Sequence, residues 1–339
     1  MIRIACAIAA AAICFDASAA ERPLPKWNPG HYMLVFTDAP AEHLDTIRDS
    51  AFQGAQIRYY WRDLEPEKDK YDFSRIEADL ARLQTMGKRL VMQLMDRRFH
   101  SPERPLPDYL YDDPVYGGGA EPYVGKTGSV ARLWDSEVLQ RKKALIAALG
   151  RRFDSEPFFE GFCFEETAIA IDKQNAAGFT HQGYLDALKQ LVSAACAAFP
   201  NSTVIEYANW LAAPEGALDE LARHCHACGA GWGGPDVVPD NAPGRPAGKS
   251  RIKGYAIAEQ YAGKMPLGYA VQTPTFGGKE GTYTLDEIYD MGVNRLRLNY
   301  MFWIRVEGPA YSHSFTRDVL PFINAKQGKI NAERPENRR

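Results

Sequence analysis

Two adjacent glutamates, Glu165 and Glu166, end an apolar run in the stretch GFCFEETAIA at residues 161–170. The FCF tripeptide before them predicts a buried strand, and a charge at such a position is costly unless a contact or a reaction uses it. Two carboxylates this close together resist joint ionisation, which raises the pKa of one of them. A carboxyl group with a raised pKa suits general acid catalysis near neutral pH. The alternative is a structural role, as a helix N-cap or a salt-bridge partner.

Further polar and aromatic side chains stand where other strands are predicted to end. A mixture of polar and aromatic side chains suits a carbohydrate site, because rings stack on sugar faces and polar groups bind the hydroxyls. Tyr and Trp also serve as ordinary core residues. Any one of these residues could merely tie down a loop, but their convergence favours a binding site. Numbered by predicted strand, they are Arg58, Tyr60 and Trp61 on the second, Gln93 and Asp96 on the third, Glu206, Asn209 and Trp210 on the fifth, Asp236 after the sixth, Gln272 on the seventh, and Asn299, Trp303 and Arg305 on the eighth.

Short apolar runs alternate with longer amphipathic ones along the chain. The predicted strands lie in the segments 31–38, 55–66, 89–96, 158–166, 202–210, 227–234, 266–273 and 294–303. The predicted helices lie at 42–52, 73–88, 138–153, 181–199, 217–225, 253–263, 284–292 and 315–326. A loop rich in Pro and Gly precedes the third helix.

Eight strand–helix units without repeated hairpin signals predict a parallel sheet. Eight units in about 300 residues predict a closed (β/α)8 barrel, in which the carboxyl ends of all strands meet at one face and carry the active site. An open, doubly wound sheet is the alternative. No G-x-G-x-x-G motif or P-loop follows the first strand, which argues against nucleotide-binding versions of that fold.

The stretch YYWRDLEPEKDKYDFSRIEADLARLQTMGKRLVMQL resembles the second and third barrel units of clan A glycoside hydrolases. Those enzymes often carry a W-x-x-L-E-P-x-x-x-x-Y-D-F-S stretch followed by a G-K-x-L strand. The matching residues begin at Trp61 and end at Gly87-Lys88. The resemblance implies a single-domain (β/α)8 TIM barrel of the α/β class, and it implies a structural role for Glu65.

In that clan the fourth strand ends in Asn-Glu, and the Glu is the general acid/base. The resemblance therefore assigns this role to Glu166, with Glu165 in the place of the Asn. Strand parity puts the two side chains on opposite faces, but chains often turn at strand ends, so the reversed assignment stays open.

The chain departs from the clan at the nucleophile, which is a Glu at the end of the seventh strand. Gln272 stands at that place, and Gln cannot form the glycosyl ester of a retaining enzyme. Three alternatives follow. Glu206 is the second carboxylate, Asp236 activates water in an inverting reaction, or the barrel binds sugar without cleaving it. We favour Glu206, because an acid inside the apolar strand IEYANW needs a reason to be there.

The first 19 residues are typical of a secretory signal peptide, with Arg3 before an apolar run and Ala17-Ser18-Ala19 as a cleavage pattern. We therefore predict export to the periplasm or the medium. The further boundaries are an N-terminal extension at 20–30, the barrel at 31–328 and a polar tail at 329–339. No later stretch is long and apolar enough to span a membrane.

The formal net charge of −3 gives no basic excess, so nucleic acid is not an expected partner, and no metal or organic cofactor is implied. In an exported chain a disulfide is the better interpretation of the Cys-His-Ala-Cys motif, because a zinc site would need a second ligand pair. Cys196 could pair with Cys225 or Cys228, or the last two could pair with each other. Cys163 is expected to stay a buried free thiol.

The sequence thus predicts an exported (β/α)8-barrel glycoside hydrolase acting on a polysaccharide or an oligosaccharide. A carbohydrate-binding barrel without activity is the alternative, and Gln272 is the feature that supports it. A structural protein of the cell envelope would not need acids and aromatic rings gathered at strand ends.

Overall fold

The computed structural model describes residues 24–36, 38–211, 213–239, 249–272 and 283–338, with residues 249–252 as backbone only. Eight parallel strands close into a barrel in which each strand pairs with its neighbours along the chain and the eighth pairs with the first, which confirms the predicted (β/α)8 barrel. The predicted signal peptide lies outside the described residues. The strands are β1 (Gly30–Val35), β2 (Gly54–Tyr60), β3 (Arg89–Met95), β4 (Phe159–Cys163), β5 (Thr203–Tyr207), β6 (Gly231–Gly234), β7 (Leu267–Val271) and β8 (Tyr300–Ile304).

Helical segments connect the strands and cover the outside of the barrel. Within the described ranges, every helix is too short or too polar to cross a bilayer. The α-helices are Trp61–Leu64, Ser74–Thr85, Asp108–Asp112, Ser136–Phe153, His181–Ala198, Ala217–Cys228, Lys249–Tyr261, Leu285–Tyr289 and Leu320–Ala325. The 3-10 segments are Ala41–Ile47, Pro114–Tyr116 and Glu336–Arg338, and the π-helical turns are Asp290–Arg295 and Phe315–Val319.

The loop predicted after β3 contains secondary structure of its own. A three-stranded antiparallel sheet forms there from Arg97–Arg98, Ala120–Pro122 and Ser129–Ala131. Its strands are only two or three residues long, so no alternating pattern could reveal them in the sequence. The sheet stands at the carboxyl end of β3, on the same face as the predicted site.

Contacts across the lumen show which side chains point into the barrel. Gln56 on β2 donates a hydrogen bond of 2.9 Å to the hydroxyl of Tyr207 on β5, and these two strands are not neighbours. On β6, a Cβ atom at Gly233 would lie 1.9 Å from the carbonyl oxygen of Gly268 on β7. Glycine is therefore required for the close approach of β6 to β7, the strands that lead to Asp236 and Gln272.

Both chain ends of the described barrel pack against its lower face, opposite the carboxyl ends of the strands. Lys26 Nζ donates to the carbonyl oxygen of Asp154 at 2.9 Å, and Arg338 Nη2 donates to that of Ser202 at 2.9 Å. Arg334 Nη1 reaches the carbonyl oxygen of Pro25 at 2.8 Å and so joins the two ends. The described parts of the predicted extension and tail, residues 24–30 and 329–338, thus pack against the lower end of the barrel.

The four cysteines that the structure describes, Cys163, Cys196, Cys225 and Cys228, are free thiols. Cys196 and Cys228 lie on neighbouring helices and share a hydrogen bond, whereas Cys225 is fully buried. The bond from Cys196, helped by Ser193 and His224, lowers the pKa of Cys228 to about 6, and His224 Nε2 lies 3.4 Å from its sulfur. Among the described residues, no three His, Cys, Asp or Glu side chains are arranged to hold a metal ion.

We expect Cys196 and Cys228 to form a disulfide in a glutathione buffer with excess oxidised glutathione, because a lowered pKa favours the attacking thiolate. The bond would link two helices and raise the free energy of unfolding by about 3 kcal/mol. Peptide mapping without reduction, with melting curves in the presence and absence of a reductant, measures both effects. Cys225→Ser should keep the link and Cys228→Ser should remove it. A Cys225–Cys228 bridge, or four free thiols, would contradict this pairing.

Candidate active site

The end of β4 turns one glutamate of the pair into the mouth of the barrel. Phe162 points to the helices, where it stacks on Phe199 with ring centroids 5.0 Å apart. Phe164 contacts Phe162 edge to face at 4.9 Å and shares that side. Glu165 stands at the next alternate position and faces the lumen, where it is only 4% exposed. Alternation along the strand therefore delivers one carboxyl group to the centre of the mouth.

A set of hydrogen bonds between the ends of β4 and β5 holds the second glutamate. The amide of Thr167 donates to the carbonyl oxygen of Tyr207 at 3.1 Å, and the Thr167 hydroxyl accepts from the amide of Asn209 at 2.8 Å. The Asn209 side chain accepts from the amide of Ala168 at 3.0 Å and donates to Glu166 Oε2 at 2.7 Å. Asn209 therefore fixes the carboxyl group of Glu166, which keeps part of its surface accessible to solvent.

Burial raises the pKa of both glutamates. For Glu165 it raises the pKa to about 7, the neighbouring charge of Glu166 adds to the rise, and Arg58 opposes it. Oε2 of Glu165 accepts no hydrogen bond from the residues that the structure describes. For Glu166 burial is again the main cause, the hydrogen bond from Asn209 opposes it, and the charge of Asp236 adds to it. The pair therefore retains a proton at a pH at which ordinary glutamates are ionised.

Arg58 connects four strands of the mouth. Its Nε donates to Gln93 Oε1 on β3 at 2.9 Å, and its Nη2 reaches Gln272 Oε1, just after β7, at 3.0 Å. Gln272 in turn donates to the carbonyl oxygen of Pro235, after β6, at 2.8 Å. Gln272 thus stands at the mouth, at the end of the strand where the resemblance places a nucleophile, and it is held there as a neutral amide.

Asp236 completes the group on the side of β6. It follows the strand by two residues, is largely buried, and lies close enough to Glu166 to raise the pKa of that group. Asn209, Trp210 and Asp236 line a narrow cleft beside the paired glutamates. Trp210 is 59% exposed and offers an indole face at the rim. The mouth therefore contains three carboxyl groups, three amides, one arginine and an open aromatic ring.

Glu206, the predicted second carboxylate, does not reach the mouth. Its neighbour Tyr207 faces the lumen, where it contacts Gln56, so strand alternation turns Glu206 toward the helices. There it is fully buried, and its electrostatic neighbours are Lys142, Arg97 and Asp96. Burial raises the pKa of Glu206 to about 8 despite the two cations. The outward direction of the Glu206 side chain, and not its distance along the chain, keeps it apart from Glu166.

Asp96 belongs to the same outer layer. Arg97 Nε contacts its Oδ1 at 2.8 Å, and Lys142 Nζ is hydrogen-bonded to Oδ2. Burial opposes ionisation, but these two cations outweigh it and hold the pKa of Asp96 well below its usual range. The structure therefore places Asp96 in a buried ion-pair network beside the mouth, not in the cleft with the glutamates.

Three further residues predicted for the site lie elsewhere. The indole of Trp61 is buried and donates to Glu65 Oε2 at 2.9 Å. Trp303 is also buried, and its indole donates to His31 Nδ1 at 2.9 Å on the helix-facing side of β8. Asn299 precedes β8, so it lies at the lower end of the barrel, where its Oδ1 accepts from the amide of Leu267 at 2.9 Å. Six other predicted residues do meet the paired glutamates at the mouth, and their roles stay predictions. They are Arg58, Gln93, Asn209, Trp210, Asp236 and Gln272.

A second part of the mouth was missed in the predicted site. A pocket of about 410 Å³ opens at the ends of β1, β2 and β8. Tyr60 and Arg305 could be found as residues at strand ends, but His43 and Arg98 carry no such signal, because both stand in segments that follow a strand. The pocket is lined by Phe36, Asp38, His43, Tyr60, Arg98 and Arg305, among others.

No protein-family model matches the chain, and no curated protein is similar to it in sequence. Solved structures do share its architecture. A variant of GH5_18 from Streptomyces cattleya, in complex with Manβ1-4GlcNAc, is 13% identical, with a TM-score of 0.61 over 91% of this chain and 83% of that one. The catalytic domain of the β-amylase from Paenibacillus polymyxa is 11% identical, with a TM-score of 0.60 over 82% and 93%. Endo-glycoceramidase II from Rhodococcus sp. is 11% identical, with a TM-score of 0.50 over 84% and 75%.

These neighbours are glycoside hydrolases, and they confirm the expected resemblance at the level of the barrel. At such low identity the likeness concerns the fold. The chemistry of this chain has to be argued from its own residues.

Glu206→Gln should stabilise the protein at neutral and weakly alkaline pH. A pKa of about 8 in the folded state exceeds the ordinary value of 4.5, so the folded protein binds more protons than the unfolded chain between these values. Stability from this group is therefore present below about pH 4.5 and is lost as pH rises toward 8. The amide of Glu206→Gln has no proton to lose, so the variant does not lose this stability. We expect its free energy of unfolding at pH 8 to exceed that of the wild type by roughly 2 to 4 kcal/mol.

Melting curves of the wild type and Glu206→Gln from pH 5 to pH 8 test this expectation. Asp96→Asn is the matched control, because it breaks a compensated ion pair and should lower the melting temperature over the same range. A Glu206→Gln variant that melts like the wild type at every pH would contradict the buried, protonated state.

Proposed function

We propose that the protein is a glycoside hydrolase that cleaves a polysaccharide or an oligosaccharide. The observation that carries the proposal is the pair Glu165 and Glu166 at the end of β4, with raised pKa values, in a mouth lined by amides and an arginine. Such a pair can donate a proton to a leaving oxygen near neutral pH. The shared barrel of known glycoside hydrolases supports the same class of reaction. Export, expected from the first 19 residues, is part of the proposal.

Glu166 is the proton donor in this mechanism. Asn209 occupies only its Oε2, and the residue keeps partial exposure, so the carboxyl group can reach a glycosidic oxygen. Glu165 is more deeply buried and serves to keep one proton on the pair near neutral pH. Asn209 orients the donor, and Arg58 limits the cost of the negative charge that remains after the proton has been transferred.

Asp236 is the best candidate for the second carboxylate. It follows β6, two strands away from the pair on β4, and neighbouring strands lie about 4.8 Å apart. A span of two strands suits the separation of about 6.5–9.5 Å that leaves room for a water molecule in inverting enzymes. Retaining enzymes need about 5–5.5 Å and a nucleophile, and Gln272 cannot act as one. The proposed route is therefore direct displacement by water with inversion at the anomeric carbon.

A carbohydrate-binding barrel without activity is the second candidate, and Gln272 favours it. The side chain is held by Arg58 and by the carbonyl oxygen of Pro235, so it is built into the mouth as an amide. Trp210 at the rim would serve either function, since an exposed indole can stack on a sugar ring.

Glu166→Gln should lower turnover by about 10²–10⁴-fold, since it keeps the shape of the donor but removes the transferable proton. Incubation with a panel of polysaccharides, followed by a reducing-end assay, identifies a substrate and measures the loss. Asp236→Asn should cause a loss of similar size, whereas Glu206→Gln, the matched control on the helix side, should keep turnover. Proton NMR of the first product should show the inverted anomer.

Retention of configuration would overturn the role of Asp236. Full activity of both Glu166→Gln and Glu165→Gln would refute the catalytic pair. Binding of a glycan with no turnover by the wild type would establish the second candidate.

Activity should fall as pH rises through about 7, because the pair Glu165 and Glu166 then loses the proton that burial has retained, and Glu166 has none to donate. In Glu165→Gln the donor Glu166 no longer faces a second ionisable carboxyl group, so this alkaline limb should move to lower pH. Profiles of kcat/KM for both proteins measure the shift. Loss of all activity in Glu165→Gln, with activity kept in Glu166→Gln, would reverse the assignment of the donor.

A further inference from the structure

The pocket at the ends of β1, β2 and β8 has a charge pattern that the proposed hydrolysis does not require. Arg98 and Arg305 face it, and each guanidinium is largely buried, with its side chain 20% and 17% exposed. Nε of each arginine is buried and donates to no acceptor among the described residues. A buried N–H group of a cation is costly when no protein atom accepts its hydrogen bond. An acceptor atom of a ligand is therefore the natural partner for each Nε.

The carboxylates near these arginines leave the cationic character of the pocket in place. Glu103 contacts Arg98 at 3.0 Å but is itself 62% exposed, so the pair is screened by water. Glu307 lies 3.8 Å from Arg305 and is already hydrogen-bonded to Ser314 and Thr316. Asp38 is exposed at the edge of the pocket.

Aromatic rings of the pocket contact Arg98, which lines it, and the neighbouring Arg58. The guanidinium of Arg98 lies 3.8 Å above the ring of Tyr60, and that of Arg58 lies 4.8 Å from the ring of Phe36. Stacking fixes the guanidinium plane and leaves its N–H groups pointing outward along the edge. A planar fork of this kind binds a carboxylate or a sulfate through two hydrogen bonds.

Tyr60 joins this pocket to the paired glutamates. It is half-buried, and its pKa, raised by burial, also responds to Arg98, Arg58, Glu165 and Asp38. A sugar bound at the glutamates could therefore place a substituent of its own, or of the next residue in the chain, beside Arg98 and Arg305.

We propose that Arg98 and Arg305 bind an anionic substituent of the saccharide, so that the substrate is an acidic glycan carrying uronate carboxylates or sulfate esters. The inference rests on the proposed function, because it assumes that a glycan occupies the mouth. It adds the substrate class: neutral glycans would leave the Nε groups of the two arginines without acceptors.

The test measures binding to full-length Glu166→Gln, so that turnover does not enter the result. The ligands are matched pairs in calorimetric titrations: oligogalacturonates and alginate oligosaccharides with their methyl esters, and sulfated carrageenan oligosaccharides with their desulfated forms. At least one acidic member should bind about tenfold or more tightly than its neutral counterpart, and added salt should reduce the difference. Preference within a uronate pair identifies a carboxylate, and preference within a sulfated pair identifies a sulfate.

Adding Arg98→Gln or Arg305→Gln should weaken acidic binding by about tenfold to a hundredfold and change neutral binding little. Arg305→Lys keeps the charge and should retain more affinity than Arg305→Gln, which separates loss of charge from loss of fold. Arg317→Gln, an exposed arginine paired with Asp318, is the matched control and should have no effect.

Equal affinity for both members of every pair, or unchanged acidic binding in the arginine variants, would overturn the inference. Cleavage of a neutral glycan by the wild type, with no preference for acidic ligands, would overturn it and leave the proposed hydrolysis standing. Preference for an acidic ligand that the wild type does not cleave would support the inference and refute hydrolysis of that glycan.

Discussion

The alternation of side chains along the strands of a closed barrel decides which charged groups of this protein can meet. A residue either points into the lumen or toward the helices, and a shift of one position changes its side. Gln56, Arg58 and Tyr207 point inward, as their contacts across the barrel require. Glu165 follows the same rule at the end of β4. Glu206 stands one residue before the inward-pointing Tyr207, so it faces the helices. Its carboxylate, two strands away from Asp96, therefore does not reach the mouth.

The same constraint produces two separate groups of buried acids. Toward the helices, Asp96 is balanced by Arg97 and Lys142, whereas Glu206 sits beside these cations without enough charge left to ionise it. Removing one partner of such a network leaves an uncompensated charge, so it is suited to fixing structure. At the mouth, Glu165 and Glu166 are buried with fewer partners, so the free-energy cost of their burial is less well compensated. The proposed function explains this cost, because one of the two groups has to transfer a proton. Under the proposed function, stability and chemistry use similar residues on opposite sides of one sheet.

The sequence was sufficient to predict the barrel, because eight apolar runs separated by amphipathic ones allow few other arrangements. It was also sufficient to place Arg58, Gln93, Asn209 and Gln272 at the mouth, because they stand at strand ends with the correct parity. Asn299 fails because β8 begins only at Tyr300, so the residue lies at the lower end of the strand. Trp303 lies on β8 itself but has the outward parity. A shift of one residue changes where a strand begins and which side each of its residues faces. An apolar run in the sequence determines neither.

Gln272 connects the departure from the clan to the charge of the mouth. A glutamate at this position would accept the same hydrogen bond from Arg58 and would also neutralise much of its charge. The amide accepts the bond without contributing a negative charge, so position 272 leaves the positive potential of Arg58 undiminished. Arg58, Arg98 and Arg305 then act on the same space with the same sign, and Coulomb interactions in a partly buried cleft are several times stronger than in water. The neutral side chain at position 272 therefore provides no covalent nucleophile and also makes the mouth more attractive to an anion. The proposed displacement by water and the proposed acidic substrate are therefore consistent with each other, since both depend on the same neutral side chain.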